Sequence, residues 1–245
     1  NASDIAKALE QACDEKTRPT LLCCRTTIGW GSPNKQGKES SHGAPLGEEE
    51  VALVRKMLDW PHAPFELPPD ILAAWCARST GSDREAAWRE QFTAYSEAYP
   101  ELASEYDRRV SGRLPEGWSQ AASNFINSVV AAGESVATRQ ASRQALDGFG
   151  PLLPELIGGS ADLSGSNNTK TKNSKILKPS NLAGNYIHYG VREHGMAGIM
   201  NGMSLHGGII PYGGTFLIFS DYCKPSLRLS ALMGLKVIYI FSHDS

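Results

Sequence analysis

Beyond Ala131-Ala132-Gly133 the chain alternates between short apolar runs and amphipathic stretches. The pattern predicts a helix over 139–149 and a strand over 156–159. Further strands follow over 185–189, 209–212 and 236–241, with helices over 191–205 and 215–233 between them. The connections are short, except the one after Ala161. Strands separated by helices cannot close as hairpins. They lie parallel, joined by crossovers, and a parallel sheet needs cover on both faces. The expected fold is therefore α/β, a parallel sheet with helices on both faces. Ligands of such sheets sit beyond the carboxyl ends of the strands, which directs attention to 160–167, 190–195 and 213–219.

The first half reads differently. A helix is predicted over 4–15, with Ile5, Ala8, Leu9 and Ala12 on one face, and a strand over 20–28 after Pro19. Residues 29–47 form a loop too long for a simple connector, so a functional loop or lid is expected. Residues 48–59 make a helix whose acidic first turn suits the macrodipole. From Pro69 to about Asn127 the chain is a mostly helical linker, with Trp75, Trp88, Phe92, Tyr95 and Tyr99 spaced to pack and Pro100 placed to open a helix. The expected division is 1–60, 61–132 and 133–245.

Composition excludes several classes. Lys and Arg number 24 against 26 Asp and Glu, a formal charge of −2 over 245 residues, so neither nucleic acid nor an acidic membrane surface is an expected partner. No apolar run approaches the roughly 20 residues of a membrane span. Cys13, Cys23, Cys24, Cys76 and Cys223 form no CxxC pair, which fits reduced thiols in a cytoplasmic protein. The histidines do not cluster with them, so no zinc site is expected. The chain opens at Asn1 without a methionine or a signal peptide and stops after a strand-like run. Both ends are read as cut, making this an internal piece of a longer protein.

Five segments carry candidate chemistry, each with an ordinary reading beside it. In GNYIHYGVREHGM, 184–196, Glu193 falls in the first turn of a helix at the ligand edge. It is either a dipole-stabilising acid or a carboxylate facing a ring nitrogen of a bound heterocycle. In GGSADLSGSN, 158–167, Asp162 caps a turn or approaches a ligand, and Ser166 is a loop serine or a hydroxyl donor. Phe216, Phe219 and Tyr222 recur at helical spacing, as a core stripe or as a pocket for a flat ring. His42 lies in the long loop. Arg139 starts a helix, either solvated or as a phosphate clamp.

Taken together, these strings resemble the transketolase family. The resemblance rests on TTIGWGSPNKQGKESSHGAPLG, FGPLLPELIGGSADLSGSN, GNYIHYGVREHGMAGIMNGMSLHGG and PYGGTFLIFSDYCKPSLRLSALM, which run in that order from about residue 20 to the end. It implies a thiamine-diphosphate fold, with 1–60 as the end of a diphosphate-binding domain and 133–245 as the first part of a pyrimidine-binding domain. It also implies two-carbon ketol transfer from a ketose phosphate to an aldose phosphate through a thiamine-diphosphate carbanion, in the pentose phosphate pathway.

Residue by residue, the resemblance gives Glu193 the proton exchange with the cofactor's pyrimidine. Phe216, Phe219 and Tyr222 become its aromatic pocket, Asp162 a cofactor neighbour and Ile28 an apolar contact on the thiazolium side. His42 contacts diphosphate and substrate hydroxyls, with a catalytic part. Arg139 and Ser166 grip the sugar phosphate. Magnesium or calcium is implied, with ligands outside this segment, as is a homodimer with its site between subunits. This segment alone is expected to be inactive. Two other readings are a dihydroxyacetone synthase that transfers to formaldehyde, and a non-catalytic relative. The intact Glu193 speaks against the latter.

Overall fold

A computed structural model describes residues 1–244. Backbone proximity divides the chain into two compact units, Asn1–Ser82 and Asp83–Ser245.

The first unit holds α1 (Ala2–Asp14), α2 (Glu48–Met57) and α3 (Pro69–Trp75). The Asn1 side chain accepts from Ser3 N at 3.1 Å and caps α1. Helix α2 opens on three glutamates and closes on Arg55 and Lys56, both favourable to the helix dipole. The strand expected over 20–28 is absent. The segment takes no regular structure, and among the described residues no strand pairs with it. Its composition suits a strand, but a strand exists only through a ladder partner.

Helix α4 (Arg78–Ala98) crosses from the first unit into the second. The second unit continues with α5 (Pro100–Val110), which opens on Pro100 as expected, and α6 (Trp118–Ala132), which ends at a left-handed Gly133. Then come α7 (Thr138–Phe149), β1 (Leu156–Ser160), β2 (Tyr186–His188), α8 (Glu193–His206), β3 (Ile210–Phe216), α9 (Ser220–Leu232) and β4 (Ile238–Ser242). The four strands form one parallel sheet in the order β2-β1-β3-β4.

Both faces of the sheet are covered, as a parallel sheet requires. On one face Leu146 of α7 packs with Leu153, Leu156 and Tyr212, and Trp118 of α6 closes the cluster. On the other, Met196 and Met200 of α8 pack with Ala161, Tyr189 and Tyr239. Both methionines are fully buried, each contributing roughly 1.5–3 kcal/mol relative to exposure. Gly213 permits the close approach: a Cβ there would stand 2.6 Å from Met200 Sδ and 2.9 Å from Met196 Sδ.

One helix was expected too early. Residues Thr215 and Phe216 stay in β3, Leu217–Phe219 form a single 3-10 turn, and α9 begins only at Ser220. Thr215 and Phe216 pair with Phe241 and Ser242 of β4. That ladder, and the strand preference of Thr and Phe, override the helical spacing of the aromatic residues.

The strand order reverses beside β1. From β1 the chain steps outward to β2, then returns across β1 to build β3 on its other side. The connections leaving β1 and β3 therefore diverge and open a crevice at their carboxyl ends, where ligands of open α/β sheets bind.

Candidate functional site

Glu193 is the first residue of α8 and is only 8% exposed. Thr215, fully buried at the end of β3, donates its hydroxyl toward Glu193 Oε1 at 3.5 Å. From behind, Cys223 Sγ donates to the Glu193 carbonyl at 3.5 Å. Burial, with the charge of Glu193 added, pushes that thiol up to about 11, so at neutral pH it keeps the proton it donates. The carboxyl is thus held at a helix N-terminus, facing the crevice edge of β3.

Thr215 leads directly into the aromatic row. Phe216 and Phe219 stand with ring centroids 5.8 Å apart at 32°, and Phe219 and Tyr222 repeat the step at 5.8 Å and 31°. The row is not a core stripe. Phe216 and Phe219 are half-buried and Tyr222 is 62% exposed. Its three rings come from a strand end, a turn and a helix start, and they offer a graded apolar wall.

A cationic corner adjoins that wall. Arg139, one residue into α7, donates from Nη1 to the Ser166 carbonyl at 3.2 Å and meets His243 Nε2 at 2.9 Å. The His243 ring also packs edge-on against Phe216, with centroids 5.1 Å apart at 73°. His243 follows β4 directly, and the next residue, Asp244, accepts from Ile218 N at 2.7 Å. Arg139 and Phe216 therefore meet at His243, which the sequence reading did not single out, and Ser166 joins them through Arg139. Thr215 was missed as well. Both lie at strand ends on the ligand edge, and that placement was the available signal.

Asp162 sits in the connection after β1 with φ of 61°, an exposed left-handed residue at the crevice. Ile28 and His42 belong to the first unit and are both exposed there. Their loop is well tied. Gly37 N donates to the Ile28 carbonyl at 2.8 Å, and Lys35 Nζ to the Leu46 carbonyl at 2.8 Å. At its centre the Glu50 carboxylate, buried on α2, accepts from Ser32 Oγ, from Asn34 N at 2.9 Å and from Asn34 Nδ2 at 2.8 Å. The Ser32 hydrogen bond first, then those from Asn34, hold Glu50 down to about 2. Among the described residues no three His, Cys, Asp or Glu side chains group as a metal site.

Comparison with known proteins decides the family. Residues 1–115 match the family model for the transketolase thiamine diphosphate binding domain, and residues 134–245 that for the transketolase pyrimidine binding domain. The chain belongs to the transketolase family. It is 52% identical over 243 residues to transketolase 2 of Vibrio parahaemolyticus, covering 99% of this chain and 37% of the relative. To transketolase 2 of Escherichia coli it is 51% identical over 241 residues, covering 98% and 36%. Among solved structures it superposes on a Pichia stipitis transketolase at a TM-score of 0.82 and 37% identity, covering 100% of this chain and 37% of that one. The Leishmania mexicana transketolase gives 0.82 and 38%, with 100% and 36% covered. The chain thus spans little more than a third of the transketolases it matches. Among the described residues no helix is long and apolar enough to cross a membrane.

Proposed function

We propose that this chain supplies part of the active site of an enzyme that moves a two-carbon ketol unit from a ketose phosphate to an aldose phosphate, in the pentose phosphate pathway. One observation carries the reading: the buried Glu193 carboxyl, reached by Thr215, stands at the head of the Phe216–Phe219–Tyr222 row, with Arg139 and His243 at its margin.

That set of groups fits the aminopyrimidine of thiamine diphosphate. A flat, electron-poor ring stacks in offset fashion on aromatic side chains, and the carboxyl at the end of the row can hold and pass a proton at a ring nitrogen. When bound, thiamine diphosphate supplies an electron sink for carbon–carbon cleavage beside a ketone. The protein's part is orientation and proton handling. Glu193 would exchange the proton, the rings would orient the heterocycle and exclude water, and Asp162 would border the cofactor. Ile28 would line the thiazolium side, and His42 would serve the diphosphate and the substrate hydroxyls. Arg139, helped by Ser166 and His243, takes the anionic end of the sugar, since a guanidinium fork matches phosphate oxygens.

The domain reading is a diphosphate-binding part over 1–60, a linker over 61–132 and a pyrimidine-binding part over 133–245. Magnesium or calcium would be held by residues outside this segment. The working unit is a cytoplasmic homodimer of chains as long as the relatives, with each site shared between subunits. Related P. stipitis proteins have been solved with sedoheptulose 7-phosphate and with xylulose 5-phosphate, which supports phosphorylated sugars as substrates.

The test uses the full-length protein with magnesium. Thiamine diphosphate binding and transfer from xylulose 5-phosphate to an aldose phosphate are measured on one sample. Metal-dependent binding with transfer is expected. Binding without transfer would mean a non-catalytic relative, and transfer to formaldehyde alone would mean a dihydroxyacetone synthase.

A further inference from the structure

Asn167 is fully buried at the mouth of the crevice. The orientation of its amide that satisfies both ends places the nitrogen 2.6 Å from the Leu163 carbonyl, 3.2 Å from Thr169 Oγ1 and 3.3 Å from Ser160 Oγ. The oxygen then accepts from Thr215 N at 3.3 Å. One side chain thus ties the end of β1, the end of β3 and two points, Leu163 and Thr169, of the loop that leads from β1 to β2.

The ties continue outward. Thr169 Oγ1 lies 2.9 Å from Tyr186 OH, which donates to Ser164 Oγ at 2.6 Å, and Tyr212 OH donates to the Thr169 carbonyl at 3.0 Å. Gly214 leaves room for this plug: a Cβ there would stand 2.3 Å from Thr169 Cγ2. A buried polar network is a poor source of stability compared with an apolar plug of equal volume, and what it fixes is geometry.

The geometry in question belongs to the neighbouring residue. The Ser166 carbonyl accepts from Arg139 Nη1. Arg139 is otherwise exposed, and it also meets His243. We infer that Asn167 is a positioning residue for recognition of the substrate phosphate: it sets Ser166, and through the Ser166 carbonyl it sets the Arg139 fork. The inference rests on the reading of Arg139 as the phosphate ligand.

The experiment uses the full-length, cofactor-loaded enzyme and two donors, xylulose 5-phosphate and the unphosphorylated ketose erythrulose, each with the unphosphorylated acceptor glycolaldehyde so that the donor carries the only phosphate on a substrate. Arg139→Ala, Asn167→Ala, the double variant and Thr169→Val are compared by KM, kcat and unfolding temperature. Arg139→Ala should raise KM for the phosphorylated donor about tenfold, the effect of losing a charged hydrogen-bond donor, and leave erythrulose unchanged. Asn167→Ala should raise the ratio of the xylulose 5-phosphate KM to the erythrulose KM about fivefold, while any change in kcat passed on through Thr215 is the same for both donors. The double variant should be no worse than Arg139→Ala, because the two residues act in series. Equal losses on both donors, or multiplied losses in the double variant, would overturn the inference while leaving Arg139 as the phosphate ligand. An Arg139→Ala enzyme with no selective loss would remove that ligand reading and the inference with it. If Asn167→Ala does not fold, Thr169→Val decides by the same ratio of KM values: a selective rise supports the inference, and an unchanged ratio overturns it.

Discussion

Thr215 Oγ1 lies 3.5 Å from Glu193 Oε1, joining the end of β3 to the first residue of α8. The two groups reach this contact from opposite ends of a crossover, so the carboxyl's position depends on the registry of α8 against the sheet. Met196 and Met200 lock that registry against Gly213.

Glu193→Gln should preserve the fold, since the amide keeps the shape and the contact with Thr215. Turnover of the full-length enzyme should fall by about 10²–10⁴, the usual contribution of a placed proton-transfer group. Steady-state kinetics beside a thermal unfolding curve checks this. Near-normal turnover in a folded variant would remove Glu193 from the chemistry.

Arg108 and Glu155 form a two-pronged pair, Nη1 to Oε1 and Nη2 to Oε2, each 2.9 Å, fastening α5 to the residue before β1. Arg108 also binds Glu105. Arg108→Ala leaves Glu155 buried and unpaired and should destabilise the second unit by about 3 kcal/mol. Burial raises the Glu155 carboxyl, but the hydrogen bonds and charge of Arg108 outweigh it and the net direction is down. A lowered carboxylate stabilises above its ordinary range, and the effect is lost as pH falls through the folded value. The difference between wild type and variant in urea unfolding should therefore be large at pH 7 and shrink toward pH 3. A constant difference would show that Glu155 is not the partner that matters.

Glu50 gives the first unit its own acid sensitivity. Its carboxyl is held at about 2 by Ser32 and Asn34. The stabilisation is present above the ordinary carboxylate range and fades as pH drops from there toward 2. Amide exchange in full-length protein should show Asn34 N protected at neutral pH and released in Glu50→Ala. Unchanged protection of Asn34 would mean the loop is held without Glu50.

Gly213→Val probes the seat of α8. A side chain there meets two methionine sulfurs below 3.0 Å, and overpacking of this kind costs about 1–3 kcal/mol. The variant should lose stability and activity together, because α8 carries Glu193. Thermal unfolding and kinetics on one preparation would show it. Lost stability with intact turnover would mean that the helix shifts without moving its first residue.

Much of this was legible in the residues. Strand and helix alternation after residue 133 implied a parallel sheet covered on both faces, and Glu193 was placed at its ligand edge by position alone. Pro100 marked the start of α5, and Ala132-Gly133 the boundary between the helical region and the sheet, although α6 runs to Ala132 rather than ending near Asn127. These signals are local: helix period, turn chemistry and caps act over a few residues. What failed was non-local. The 20–28 run has strand composition but, among the described residues, no pairing partner, and the aromatic row has helical spacing but begins in a strand, because β4 pairs with Thr215 and Phe216.

Residue types and their order thus determined the layers of the second unit, the family and the main candidate acid. Only the tertiary structure decided which residues share the crevice. It brought His243 to Arg139 across 104 positions, Thr215 to Glu193 across 22, and Asn167 to two strand ends at once. The reason is physical. A site in an open parallel sheet gathers at the strand ends where the strand order reverses, and strand order is set by the packing of whole faces, which no short stretch of sequence encodes.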